Sequence, residues 1–520
     1  MKHSFVLLPL FLALASAPAF ADEAPHKSGE NAPASSATAP KPERSVTHGS
    51  VRVGGETIKY TATAGTVILK NDEDKPTGSM FYVAYTREGV SDPGKRPITF
   101  LYNGGPGSAT LWLHMGSVGP VRVETADAAY TAPAPYKLVS NQYSLLDKTD
   151  LVFIDAMGTG FSRILDKDHG GVGTPKDFFG VDEDAKAFAQ FIYDYVSHND
   201  RWNSPKFLMG ESYGTTRSAA LVNYLQQHDN MDFNGVILVS AVLNFETISF
   251  NAGNDLPSVL FLPTYAATAC YHKVVQCPAD LPAYLRQVSD FATGAYADAL
   301  LKGDKLPAPE RAAVLSKLAQ YTGLSQDYLS KAHLRVTLFH FMAELQRGRD
   351  LITGRLDSRF SGAAADQLAE WAFNDPQSDA ISGAFVAAFN QYVRDTLKFG
   401  QGMTYKPSNG KANQGWNWKH GHDGFTDFGW PGYTNVAVDL ADAMRYNPHL
   451  KVQFENGYYD LATPFFATDY TVDHLKLPQN LRGNISLKYY DAGHMMYVHL
   501  PALKQLHANL VQFYDQATHQ

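Results

Sequence analysis

Six short apolar runs constrain this chain most: ITFLYNGG, DLVFIDAMG, KFLMGES, GVILVSA, KVQFENG and SLKYYDAGH, most of them closing on a glycine or an aspartate. Runs of this length without alternation fit strands covered on both faces of a mainly parallel sheet. Between two of them, DEDAKAFAQFIYDYV places Phe188, Phe191, Ile192, Tyr195 and Val196 on one helical face. Strand, helix, strand is the βαβ unit of an α/β sheet. Upstream, VTHGSVRVGGETIKYTATAGTVILK and SMFYVAYTRE alternate around Gly-Gly and Gly-Thr turns and read as antiparallel hairpins at a sheet edge. Strand-like runs stop after about residue 245 and resume near 451. The gap holds DLPAYLRQVSDFATGAYADALL, ERAAVLSKLAQY and AFVAAFNQYVRDTL, which carry helical periodicity. The expected layout is therefore a core over 46–245, a mainly helical insertion over 246–400 and a second part of the core over 401–520. Such an insertion would form a lid above the strands' C-terminal ends, where open α/β sheets place their sites.

The third run leads into GESYGT, with Ser212 flanked by Gly210 and Gly214 at the spacing G-x-S-x-G. Two glycines permit a very tight strand-to-helix turn that exposes the serine hydroxyl beside helix N-terminal N–H groups. A plain turn serine fits those few residues equally well, so the partners matter. A nucleophilic serine needs a histidine and an acid, which α/β-hydrolases supply in the order serine, acid, histidine. KVQFENGYYD places Asp460, and LKYYDAGH places His494, just past strand-like runs in that order. Asp469 and Asp491 are rival acids; Asp491 lies too near His494 in sequence to reach its ring easily. NGGPG, Asn103 to Gly107, follows another strand and offers uncovered backbone N–H groups, as an oxyanion hole requires.

At the N-terminus, Lys2 and His3 precede FVLLPLFLALASA, and AFA ends at Ala21. This reads as a signal peptide over 1–21, cleaved near Ala21, and predicts a secreted or periplasmic protein. Residues 22–45, rich in Ala, Pro and Ser, read as a flexible leader. In an oxidising compartment the two cysteines, Cys270 and Cys277, are expected to form a loop-closing disulfide. A formal charge of −8 over 520 residues argues against a nucleic-acid partner, and no later run is long enough for stable membrane insertion. WKHGHD, with His420, His422 and Asp423, lacks a helical histidine pair and reads as a solvated loop rather than a metal site; no cofactor is expected. The sequence is silent on oligomeric state.

Together NGGPG, VFIDAMGTGFS, GESYGT, GYYD and AGHM, in this order over roughly residues 98 to 500, resemble the serine carboxypeptidases, α/β-hydrolases with an acid-active triad. The resemblance implies that Ser212 is the nucleophile, His494 the general base and then acid, and Asp460 its orienting partner. It implies an oxyanion hole from the N–H groups of Gly105 and Tyr213. It assigns the substrate's terminal carboxylate to Asn103, Gly104 and Glu211. Three departures stand out: Leu101 where the family commonly has Trp, Ser108 where many members have Cys, and Ser117 where a second carboxylate-binding Glu is expected. Three functions stay open: a carboxypeptidase acting on peptides, an esterase or acyltransferase using the same triad, and a hydrolase fold kept only for binding.

Overall fold

The computed structural model describes residues 40–421 and 432–518. The signal peptide, most of the 22–45 leader, His422 and Asp423 lie outside the described residues. Three long strands come first, β1 (Arg44–Val53), β2 (Glu56–Lys70) and β3 (Pro76–Arg87), paired antiparallel as consecutive hairpins. The remaining strands are β4 (Ile98–Tyr102), β5 (Val121–Val123), β6 (Leu138–Ser140), β7 (Asp150–Ile154), β8 (Arg163–Ile164), β9 (Lys206–Glu211), β10 (Gly235–Val239), β11 (Leu351–Thr353), β12 (Ser361–Ala363), β13 (Lys451–Gly457) and β14 (Ile485–Tyr490). The main sheet runs β1-β2-β3-β7-β4-β9-β10-β13-β14, with β8 on β3. From β7 to β14 every pairing is parallel, and these six strands are the six apolar runs. This is the α/β-hydrolase fold. β4, β7, β9 and β10 are buried throughout, as unalternating runs require, while β14 at the edge is only half-buried.

Successive side chains of each central strand enter opposite layers. Helix α1 (Leu111–Gly116) is short; Phe100, Val152, Leu208 and Leu238 face α2 (Val181–His198) and α3 (Tyr213–Asp229). Leu101, Phe153, Met209 and Ile237 face the helices Pro376–Asp395 and Leu500–Thr518. The former helix, grouped with the insertion on its sequence, shares the core on this side of the sheet through Ile381, Phe385 and Phe389, the last two against Trp112 and His114. A third core, with Phe261, Tyr265, Val288, Leu318 and Phe341, holds the helices after β10 together. It also takes in Tyr459, Leu461 and Phe465 from the loop after β13, so the helical layer and that loop share one apolar interior. The run DLPAYLRQVSDFATGAYADALL is interrupted in the structure, where a π-turn with non-helical Gly294 separates Leu281–Phe291 from Ala297–Lys302. Cys270 and Cys277 are disulfide-bonded just after the first of these helices, Leu256–Tyr271.

Ion pairs tie the layers. Arg217 of α3, fully buried, holds Asp184 of α2 through Nε at 2.7 Å and lies 4.2 Å from the Phe188 ring centroid. Its Nη1 donates to the Asn103 carbonyl at 2.8 Å, anchoring the start of NGGPG. His420, expected in a solvated loop, is instead clamped between Asp182 (2.6 Å) and Asp439 (2.8 Å). The correction has a physical cause: burial disfavours the charged ring, but two carboxylates overcome it and push the histidine up to about 10.

Removing Arg217 would strand Asp184 as an uncompensated buried charge. Arg217→Ala is expected to cost about 3–5 kcal/mol in urea unfolding. The double variant Arg217→Met with Asp184→Leu should recover much of that loss, and recovery of nothing would show that the pair is not what the layer depends on.

Candidate active site

The turn after β9 brings Ser212 to the sheet's C-terminal edge. Its backbone sits at φ 60, ψ −129, outside the ordinary regions for a side-chain-bearing residue, and immediately starts α3. Only glycines fit around such a turn. A Cβ on Gly210 would lie 2.1 Å from the Gly214 carbonyl oxygen, and one on Gly104 would lie 2.4 Å from the Tyr213 nitrogen. The Gly104 contact seats NGGPG directly on the turn, beside the N–H of Tyr213 at the N-terminus of α3. Gly105 continues the loop at φ 105. Asp155, from VFIDAMGTGFS, supports it from beneath by accepting the Thr110 N–H at 2.8 Å and the Tyr405 hydroxyl at 3.2 Å. Burial, partly offset by these donors, pushes the Asp155 carboxyl up to about 6.

The loops after β13 and β14 meet over the same edge. His494 Nδ1 is 2.7 Å from Asp460 Oδ2, and both residues are buried. Asp460 Oδ1 accepts the N–H groups of Ala462 and Thr463 at 2.7 and 2.9 Å, and the Thr463 hydroxyl lies 2.8 Å from Oδ2. The carboxylate is thus fixed in rotation with one oxygen aimed at the imidazole. Of the rival acids, Asp469 instead accepts the Tyr489 hydroxyl at 2.6 Å, and Asp491 is exposed. Burial opposes a charged His494, but the charge and hydrogen bond of Asp460 outweigh it, and the ring's pKa is raised. The His494 carbonyl accepts the Ser240 hydroxyl at 2.6 Å, while the Ser212 N–H donates to Val239, so the end of β10 holds both loops in place. Ser212 Oγ makes no hydrogen bond to His494; catalytic hydrogen bonds of this kind often close only around substrate.

Beside them lies a second buried group. Glu211 Oε1 accepts Asn103 Nδ2 at 2.9 Å, and Asn103 Oδ1 accepts the Leu113 N–H at 3.0 Å, which fixes the amide's orientation. Burial pushes the Glu211 carboxyl up to about 7, against the lowering effects of His494, Tyr497 and Asn103. Ser117 does not approach it: its hydroxyl turns back onto the Leu113 carbonyl at 2.5 Å. Glu211 Oε2 instead accepts the hydroxyl of Tyr497 at 2.6 Å. Sequence reasoning missed Tyr497; the only signal was a tyrosine three residues past His494, in HMMY. It also missed the segment Arg355–Ser358. There the carbonyls of Arg355 and Leu356 accept the N–H groups of Leu461 (3.0 Å) and His494 (2.6 Å), and Ser358 N–H donates to Tyr459 (2.9 Å).

Residues 56–261 match the family model described as serine carboxypeptidase. That span holds Asn103, Glu211 and Ser212; Asp460 and His494 fall beyond it and are brought in by the fold. Among curated proteins, the pheromone-processing carboxypeptidase KEX1 of Saccharomyces cerevisiae is 27% identical over 161 residues, 31% of this chain and 21% of that protein. Serine carboxypeptidase-like 45 of Arabidopsis thaliana is 25% identical over 189 residues, 35% of this chain and 36% of that protein. The chain thus spans between about a fifth and a third of the length of these relatives. The crystal structure of the Saccharomyces cerevisiae prohormone-processing carboxypeptidase Kex1(delta)p shares the fold, with a TM-score of 0.53 and 18% identity over 88% of this chain and 91% of that one.

With Asp460 raising the His494 pKa, loss of its charge should act in two ways. Asp460→Asn is expected to lower kcat on a blocked ester by roughly 10⁴. Its residual activity should persist to lower pH than the wild type's, because a ring without that carboxylate protonates later on acidification. Near-wild-type turnover would move the acid role elsewhere.

Proposed function

The chain belongs to the serine carboxypeptidase family, and on that premise we propose that it releases C-terminal residues from peptides through an acyl-enzyme on Ser212. Ser212 Oγ attacks the last peptide carbonyl as His494 Nε2 takes its proton. The oxyanion meets the N–H groups of Gly105 and Tyr213. Collapse breaks the C–N bond, His494 returns the proton to the leaving amine, and the terminal residue departs. Water then attacks the acyl ester with His494 again as base, restoring Ser212. Asp460 holds the ring's tautomer and stabilises the imidazolium.

The observation that carries this reading is the buried Glu211–Asn103 pair immediately before the nucleophile. Two carboxylates at hydrogen-bonding distance cannot both stay ionised, so Glu211 receives the substrate's terminal carboxylate in its protonated form. A raised carboxyl near 7 makes that form available on the acid side of neutrality. Asn103 Nδ2, with its orientation fixed, has a second hydrogen for the same carboxylate, and Gly104 leaves room for it. The helical layer after β10, from Leu256 to Glu344, acts as the lid and shapes the side-chain pocket. Export through the N-terminal signal peptide completes the proposal; among the described residues no helix is long and apolar enough to cross a membrane. Serine esterase or acyltransferase activity is the second reading, favoured by Ser117 turning away from Glu211 and leaving one protein carboxyl at the subsite.

Mass spectrometry of a mixed peptide library should show stepwise C-terminal shortening that stops when Ser212 is replaced by Ala. KM for a free peptide should rise above about pH 7, where Glu211 ionises, and KM for its C-terminal amide should not. Glu211→Gln, a donor at every pH, should flatten the difference. Internal cuts, or ester turnover without peptide shortening, would sink the carboxypeptidase assignment.

A further inference from the structure

Glu211 is surrounded asymmetrically. His494 and Asp460, from the loops after β14 and β13, are the charged groups that act on it; Asn103 and Tyr497 are its hydrogen-bonding neighbours. Each carboxyl oxygen has one neutral donor: Asn103 at 2.9 Å on Oε1 and Tyr497 at 2.6 Å on Oε2. The phenol is fully enclosed and far from ionising, since burial and the neighbouring carboxyl both raise its pKa well above the usual value. It therefore remains a donor throughout the working range. Its ring is held by contact as well: a Cβ at Gly116 would lie 2.7 Å from Tyr497 Cδ2 and 3.1 Å from Phe385. Gly116 directly precedes Ser117, whose own side chain points away.

We propose that Tyr497 is the positioning residue that stands in for the missing second carboxyl: its hydroxyl fixes Glu211 and sets the pH up to which Glu211 can meet a terminal carboxylate. The proposal rests on the carboxypeptidase reading and deepens it. A phenol that only donates favours the ionised Glu211, so it pulls the acid limit of peptide recognition downward. A carboxyl partner, able to share a proton, would act differently. One hydrogen bond, supplied from the turn that follows His494, then tunes the acid limit that burial of Glu211 sets.

The experiment compares KM against pH for a free peptide and its C-terminal amide in wild type, Tyr497→Phe and Gly116→Ala. Without the phenol hydroxyl, Glu211 holds its proton to higher pH, and the rise in peptide KM should move upward by about one pH unit, the size expected for one lost hydrogen bond to a carboxylate. Gly116→Ala, which displaces the ring, should move it in the same direction. A ring-fluorinated tyrosine at 497, a stronger donor of nearly the same shape, should move it downward, and it keeps the question open to test if Tyr497→Phe fails to fold. The amide profile should keep its shape in all of them. If wild type shows the contrast between peptide and amide, but neither substitution nor fluorination moves its midpoint, Tyr497 does not have this role and the carboxypeptidase reading stands. If wild type shows no contrast at all, that reading falls and takes the proposal with it.

Discussion

One residue has to end a buried strand, begin a helix and present its side chain to solvent, and the rest of the site is arranged around the backbone that allows it. At φ 60, ψ −129, Ser212 is held in a conformation that costs on the order of 1–3 kcal/mol for a residue with a Cβ. The surroundings sustain it from three directions. The Ser212 N–H is bound by Val239 of the adjacent strand, Gly210 and Gly214 let the turn close, and Gly104 lays the NGGPG loop across the start of α3. Arg217, one turn further along α3, then reaches back to the Asn103 carbonyl and locks the same loop from below. Ser212, the NGGPG loop and the N-terminus of α3 are accordingly one rigid unit.

Buried carboxyls meet a recurring solution in this molecule. Glu211 is held by Tyr497, Glu455 by Tyr490, Asp469 by Tyr489 and Asp155 by Tyr405. In each case burial raises the carboxyl's pKa and the phenol, as a donor, partly opposes the rise. A tyrosine hydroxyl satisfies the carboxyl without adding a second charge to desolvate, which an arginine would do. Asp460 is treated differently: backbone N–H groups and a threonine surround it, leaving its remaining hydrogen-bonding capacity for His494. The two acids are thereby given different surroundings, Glu211 neutral side-chain donors and Asp460 mainly backbone N–H groups.

What the sequence disclosed follows from how burial is written in it. Six strands and the amphipathic α2 were legible because apolar runs and the helical stripe report burial directly. The placement of Ser212, Asp460 and His494 at strand ends followed from those runs. Pairings between polar side chains leave no such trace. Tyr497 and Glu211 are separated by 286 positions, and His420 and Asp182 by 238, so no local pattern marks them. Ser117 could be seen as a departure, but the Tyr497 contact to Glu211 could not, because it comes from another loop. Which layer the helix Pro376–Asp395 joins was illegible for a related reason: periodicity shows that a face is covered, and is silent on what covers it.

The contacts of Arg355–Ser358 bear on how this molecule could admit a substrate. Three main-chain hydrogen bonds stitch that segment to the loops carrying Asp460 and His494, and Leu461 is plugged into the helical layer's own interior. A helical layer joined this way cannot swing aside as a hinged door, because the first movement would pull Asp460 and His494 out of register. Entry and exit must instead be accommodated by side chains and outer turns, while the inner seam stays closed. For the same reason the helical layer is not an independent module: its boundary with the sheet runs through the loops that carry Asp460 and His494.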